Sequence, residues 1–231
     1  GGRLLAFFRP FKNAGWALGR LRSGEGLGLE RIPAVLRDLE LPRYFLLGLK
    51  GFVAALAWIA LPTALLAVGP RAPVVALLGG FLLALVVIPL PLLQARLAAE
   101  GRLAAGFDLP EAWRRYRRAP LSALVALVLT LALALPLYLL KIELIPRDAR
   151  WLAAAIFLLT ILPTKLIAGK AYARGSGEGR AFLPLRTFAA CTGFAAAALY
   201  VLVLFGTRFI EWRGAVGLFE QHAFLVPVAF Y

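Results

Sequence analysis

Few side chains in this chain can do covalent chemistry. There is one histidine (His222), one cysteine (Cys191), one asparagine (Asn13) and three serines (Ser23, Ser122, Ser176). A Ser-His-Asp relay would have to run through His222, and a zinc site built from Cys and His ligands needs more of them than are present. No H-E-x-x-H pattern occurs. Cys191 stands in an apolar run and reads as an inert, small core residue. Glu100, Asp108, Glu111, Glu143, Asp148, Glu211 and Glu220 lie near the ends of apolar runs and none at a centre, where a proton relay or ion-coupled carrier places one. The expectation is no catalytic residue, no metal, no cofactor and no enzyme.

What the chain has in excess is cationic chemistry. Lys and Arg number 26 against 12 Asp and Glu, a net charge of +14. The densest cluster is Trp113-Arg114-Arg115-Tyr116-Arg117-Arg118. Its plainest role is to set membrane topology. As a ligand site, a basic run beside a membrane suits anionic lipid headgroups, at about 1 kcal/mol per charge. Nucleic acid is not expected as a partner. The two Gly-rich stretches, Ser23 to Gly28 and Gly175 to Gly179, lack the strand and the Gly-Lys-Ser/Thr ending of a phosphate-binding loop and read as turns.

The elements that position these cations are hydrophobic. Of 231 residues, 61% are apolar and 16% charged, with a mean hydropathy of +0.82. A soluble domain is nearer one half and one quarter. Crossing a hydrocarbon layer of about 30 Å takes about 20 apolar residues as helix. Five segments qualify, near 44–69, 73–94, 121–140, 151–168 and 187–206. None shows the period-2 alternation of a barrel strand. The fold class is therefore all-α: a polytopic membrane helical bundle of about five spanning helices with amphipathic interfacial helices. Residues 1–43 form a basic, amphipathic N-terminal segment, 44–206 the membrane domain and 207–231 a C-terminal tail. The absence of Met, even at position 1, adds the expectation of a region upstream.

Eighteen basic residues fall in the N-terminal segment and in the connections after the second and fourth spans, and six on the alternate side. That bias predicts a multi-pass protein of the cell membrane with a cytoplasmic N-terminus and an extracytoplasmic C-terminus. Lys50 and Lys165, inside spans but near their inner ends, would then snorkel to cytoplasmic headgroups. With Arg114, Arg115, Arg117, Arg118 and Arg186 they are the expected lipid-headgroup or anion contacts. Trp113, Tyr116 and Tyr172 fit an inner aromatic belt, and Tyr138, Trp151 and Trp212 an outer one; Trp58 and Tyr200 lie deeper.

In the long inner connection, Ala98 to Ala105 is expected to continue helically and Gly106-Phe107-Asp108 to break it. Asp108 would cap the next helix, with Pro110 in its first turn. Pro62, Pro89, Pro91, Pro136 and Pro163 predict bends. Ala189, Gly193 and Ala197, four apart, form a small-xxx-small face for close packing, against another span or a second subunit. The pattern A-L-P-x-x-L-L occurs at Ala60 to Leu66 and at Ala134 to Leu140, an echo consistent with a parallel repeat.

Two runs resemble a known family. Leu41-Pro42-Arg43-Tyr44-Phe45-Leu46-Leu47-Gly48-Leu49-Lys50-Gly51 and Ala98-Ala99-Glu100-Gly101-Arg102-Leu103-Ala104-Ala105-Gly106-Phe107-Asp108 are similar to motifs of the prokaryotic membrane proteins grouped as domain of unknown function 4013. The resemblance covers roughly 32–140 and implies a multi-helix membrane protein, with no activity or site residues to carry over. Three functions compete. The first is a non-catalytic membrane protein binding partners or anionic lipid through a basic inner face, alone or as a homo-oligomer. The second is a transporter or channel subunit for a small anionic solute or lipid. The third, ranked last, is a lipid-headgroup enzyme using Asp108, Glu100 and nearby arginines with a metal.

Overall fold

The computed structural model describes residues 40–68, 72–133, 150–177 and 179–207. Among these the chain forms seven α-helices, one 3-10 turn and no strand. The helices are α1 (Leu41–Ala67), α2 (Pro73–Val87), α3 (Leu90–Glu100), α4 (Leu109–Arg118), α5 (Pro120–Ala132), α6 (Arg150–Arg174) and α7 (Leu183–Thr207); the 3-10 turn is Leu103–Phe107. The chain divides after Lys50 into two units. Within the first, the described residues 40–50 start α1, where Arg43 pairs with Glu40 at 2.6 Å and Lys50 is exposed.

In the second unit α5 packs between α6 and α7, α7 also meets α2, and α3 lies on α6. The sequence explains why these faces meet. On α2 the buried positions are Ala76, Gly79, Gly80, Leu83, Ala84 and Val87, a stripe at helical spacing. The opposite face carries Val74, Leu77, Leu78, Phe81 and Leu85, all exposed. Large apolar groups outside, with glycine and alanine at four of the six buried positions, is the arrangement of a helix whose solvent is hydrocarbon. A Cβ on Gly79 would stand 2.4 Å from the backbone nitrogen of Leu66, so this glycine brings α1 and α2 into backbone contact.

Two helices, α1 from Pro42 and α7 as far as Gly206, are long and apolar enough to cross a membrane. The pair α2 and α3 makes a third if counted as one bent span, for it is broken by 46° where Pro89 and Pro91 stand. The expected count of five is not reached among the described residues. Helix α5 is described for 13 residues, and 134–140 lies outside the description. Pro62 and Pro163 sit inside helices. The second copy of the A-L-P pattern, Pro136, Tyr138, Trp212, His222 and the segment 1–39 also lie outside the described residues.

Helix α3 ends earlier than expected. Gly101, in the left-handed conformation at φ 71°, caps it by donating its N–H to the Leu97 carbonyl at 2.7 Å. The 3-10 turn then occupies the stretch expected to stay helical. Buried threonines return their hydroxyls to their own helices, Thr130 to the Ala126 carbonyl at 2.6 Å and Thr160 to that of Ile156 at 2.9 Å.

Gly79→Ala is expected to lower the thermal midpoint of the purified protein. Overpacking against backbone costs about 1–3 kcal/mol and outweighs the helix-propensity gain of about 1 kcal/mol. Gly80→Ala, whose Cβ would meet a movable Val201 methyl at 3.2 Å, is expected to be neutral or stabilising in the same scan.

Candidate functional site

Three carboxylates of the second unit gather with their arginines where α3, α4 and the end of α6 meet. Asp108 begins this site by capping α4: its carboxylate accepts the N–H of Glu111 at 3.1 Å. Its other oxygen forms an ion pair with Arg96 Nη1 at 2.6 Å, while Arg96 Nε donates to Glu100 at 2.9 Å. Arg102 pairs with the second oxygen of Glu100. Arg96, one turn before Glu100 on α3, thus draws together two carboxylates eight residues apart.

A second guanidinium does the same work one helix on. Arg115 Nε donates to Glu111 at 2.7 Å, and its Nη1 donates to the Tyr172 carbonyl at 2.9 Å and also reaches the Ser176 hydroxyl. Its Cζ lies 3.7 Å from the centre of the Tyr172 ring, over its face. Gly175 permits this approach, since a Cβ there would stand 2.8 Å from that of Arg115. Arg114 takes the remaining oxygen of Glu111.

The neighbouring Tyr116 joins α4 to α7. Its hydroxyl donates to the Ala189 carbonyl at 2.8 Å, and Gly193 leaves room for it, since a Cβ there would lie 3.2 Å from the oxygen. Ala189, Gly193 and Ala197 are buried, and Gly193 faces Leu124 and Leu127 of α5 as well as Tyr116. The small-residue face therefore packs within this chain. Trp58, expected deep in its span, donates its indole N–H to the Gly106 carbonyl at 3.0 Å and stacks on Phe107, so it packs on the connection.

Among the expected lipid contacts, Lys50, Arg117 and Arg118 are exposed, as is Arg114 beside its ion pair. Arg115 and Lys165 have partners within the protein. Arg115 is held by protein acceptors, and Lys165 Nζ donates to the Gln94 side chain of α3. Arg186 is half-buried. Cys191 is exposed on α7, not a core residue, because the buried face of that helix runs through Ala189 and Gly193. Glu100 and Asp108, far apart in the connection, meet on Arg96, yet among the described residues no three His, Cys, Asp or Glu side chains converge as a metal site requires. Sequence reasoning missed Arg96 as a hub, and with it Tyr172, Ser176 and Gln94. The pairs Arg96/Glu100 and Glu111/Arg115, four apart on helices, were the available signal.

Electrostatics follow from these contacts. Asp108 is held below the ordinary carboxylate value, first by the Glu111 N–H and then by the charge of Arg96. Burial alone would raise Glu111, but hydrogen bonds from Arg115 and Arg114 outweigh it and hold this carboxyl low as well. Burial pushes the Tyr116 phenol up.

No protein-family model matches the chain, nor does any curated protein or solved structure.

Both carboxyls titrate lower folded than unfolded. Their contribution to stability is therefore whole above the ordinary carboxylate value of about 4 and is lost as pH falls through the depressed values. The thermal midpoint should drop across that acid range. Asp108→Asn, which keeps a capping oxygen but loses the charge, should lower the midpoint at neutral pH by roughly 3 °C, about 1 kcal/mol. Its acid drop should be shallower than that of the native protein.

Proposed function

We propose that this chain is a non-catalytic, multi-pass protein of the cell membrane that binds partners or anionic lipid through a basic cytoplasmic face. In this reading it crosses the bilayer about five times, at 44–69, 73–94, 121–140, 151–168 and 187–206, with its N-terminus in the cytoplasm and its C-terminus outside. The resemblance to domain of unknown function 4013 belongs to the same reading and rests on the two runs quoted for it.

The observation that carries the reading is the joining of two basic connections at one end of the helices. Arg115, between α3 and α5, grips Tyr172 and Ser176, at the end of α6. Among the described residues the opposite charge near them is already engaged: Glu100, Asp108 and Glu111 each bond arginine. Arg117, Arg118, Lys170, Arg174 and Arg180 remain exposed. Cations so placed beside an anionic leaflet gain about 1 kcal/mol each.

One feature favours a second reading, a transporter or channel subunit for a small anionic solute or lipid. The 46° break between α2 and α3 lies just before Gln94, which holds Lys165. Broken helices with a polar pair beside them form carrier sites in other folds.

The test is thermal unfolding in nanodiscs of phosphatidylcholine with and without phosphatidylglycerol. The first reading expects a midpoint higher by roughly 3 °C with the anionic lipid, shrinking as salt is raised. An unchanged midpoint would count against it, and flux of chloride or phosphate into proteoliposomes would favour the second reading.

A further inference from the structure

Helices α5 and α6 enclose an open groove of about 160 Å³ beside the charged end of the bundle. Its two halves differ in chemistry. Leu121 and Val125 of α5 and Ile167 of α6 form an apolar half, and Ser122, Lys170 and Arg174 form a polar one. The spacing accounts for this. Ile167, Lys170 and Arg174 stand three and four residues apart on one face of α6, so both cations share the groove wall with the isoleucine.

Arg174 Nη1 donates to the Ser122 hydroxyl at 3.3 Å, which closes the polar half across both helices. Lys170 and Arg174 pair with no carboxylate among the described residues. From the apolar half, exposed Leu121, Val125 and Val128 continue along α5 as a stripe at helical spacing, over about 10 Å. Two cations and a hydroxyl suit one phosphodiester, and an aliphatic stripe leading away from them suits one acyl chain. A soluble anion would have no use for the stripe, and a peptide backbone would bring N–H donors for which these three polar side chains offer one acceptor, the Ser122 hydroxyl.

We infer that this groove binds an anionic phospholipid, its phosphate between Lys170, Arg174 and Ser122 and an acyl chain along Leu121, Val125 and Val128. The inference rests on the reading that this end of the bundle meets an anionic leaflet, and it names the place and the ligand within that face.

Native mass spectrometry of the full-length protein in detergent, titrated with phosphatidylglycerol, tests it. Lys170→Ala/Arg174→Ala should weaken phosphatidylglycerol binding at least tenfold, and Arg117→Ala/Arg118→Ala less than twofold. Val125→Trp leaves every charge in place and fills the apolar half, so it should weaken binding comparably even if the double variant fails to fold. Equal losses in the two charge variants would overturn the groove while leaving the basic-face reading intact. Equal affinity of the native protein for phosphatidylcholine would overturn both. Displacement of the lipid by glycerol 3-phosphate at matched concentration would assign the site to a soluble phosphate and overturn the acyl part.

Discussion

A guanidinium largely withdrawn from water must find acceptors, and at Arg115 that requirement organises the polar end of the bundle. Its side chain is 15% exposed. Leaving such a charge without partners costs several kcal/mol, so its position is set wherever a carboxylate, a carbonyl and a hydroxyl can be gathered around it. Glu111 supplies the first from one turn earlier, and the end of α6 supplies the other two. Helix α4 is thereby held across the end of α6. Tyr116, the next residue and about 100° around the helix, then points to the Ala189 carbonyl of α7. Two adjacent side chains on a ten-residue helix fix where two long helices stand.

The remainder of the fold follows from hydrocarbon as the outer solvent. Between two apolar faces burial gives no preference, so helices associate where small residues allow close approach. Gly79 against Leu66 and Gly193 beneath Tyr116 are such places. Polar groups away from the charged end are satisfied locally, as the threonine hydroxyls are, or in pairs, as Lys165 and Gln94 are. The charged end obeys the same rule, because Arg96 and Arg115 gather the nearby carboxylates and the surplus positive charge stays on the surface.

Much of this was legible in the sequence where the governing interaction is local. The Asp108 cap, the bend near Pro89 and Pro91 and the small-residue face of α7 each depend on residues within two turns of one another. Features set by distant backbone were not legible. Nothing in the order of residues shows that Arg115 meets a carbonyl 57 positions away, or that Trp58 meets that of Gly106. Lys165, judged by its depth alone, pointed to the headgroups; its partner Gln94 lies on another helix. Cys191 looked buried because the run around it is apolar, yet in lipid an apolar run says nothing about which face is turned inward. The early end of α3 turns on Gly101, whose left-handed cap a run of alanines and leucines concealed.

The proposed topology puts the connections holding Arg115 and Ser176 on one side of the membrane, the cell interior. Single cysteines at Arg118→Cys and Gly177→Cys, in a Cys191→Ser background, report it through a membrane-impermeant maleimide. Both should stay unlabelled on intact cells and react once the membrane is opened. Labelling of either one from outside would overturn that topology.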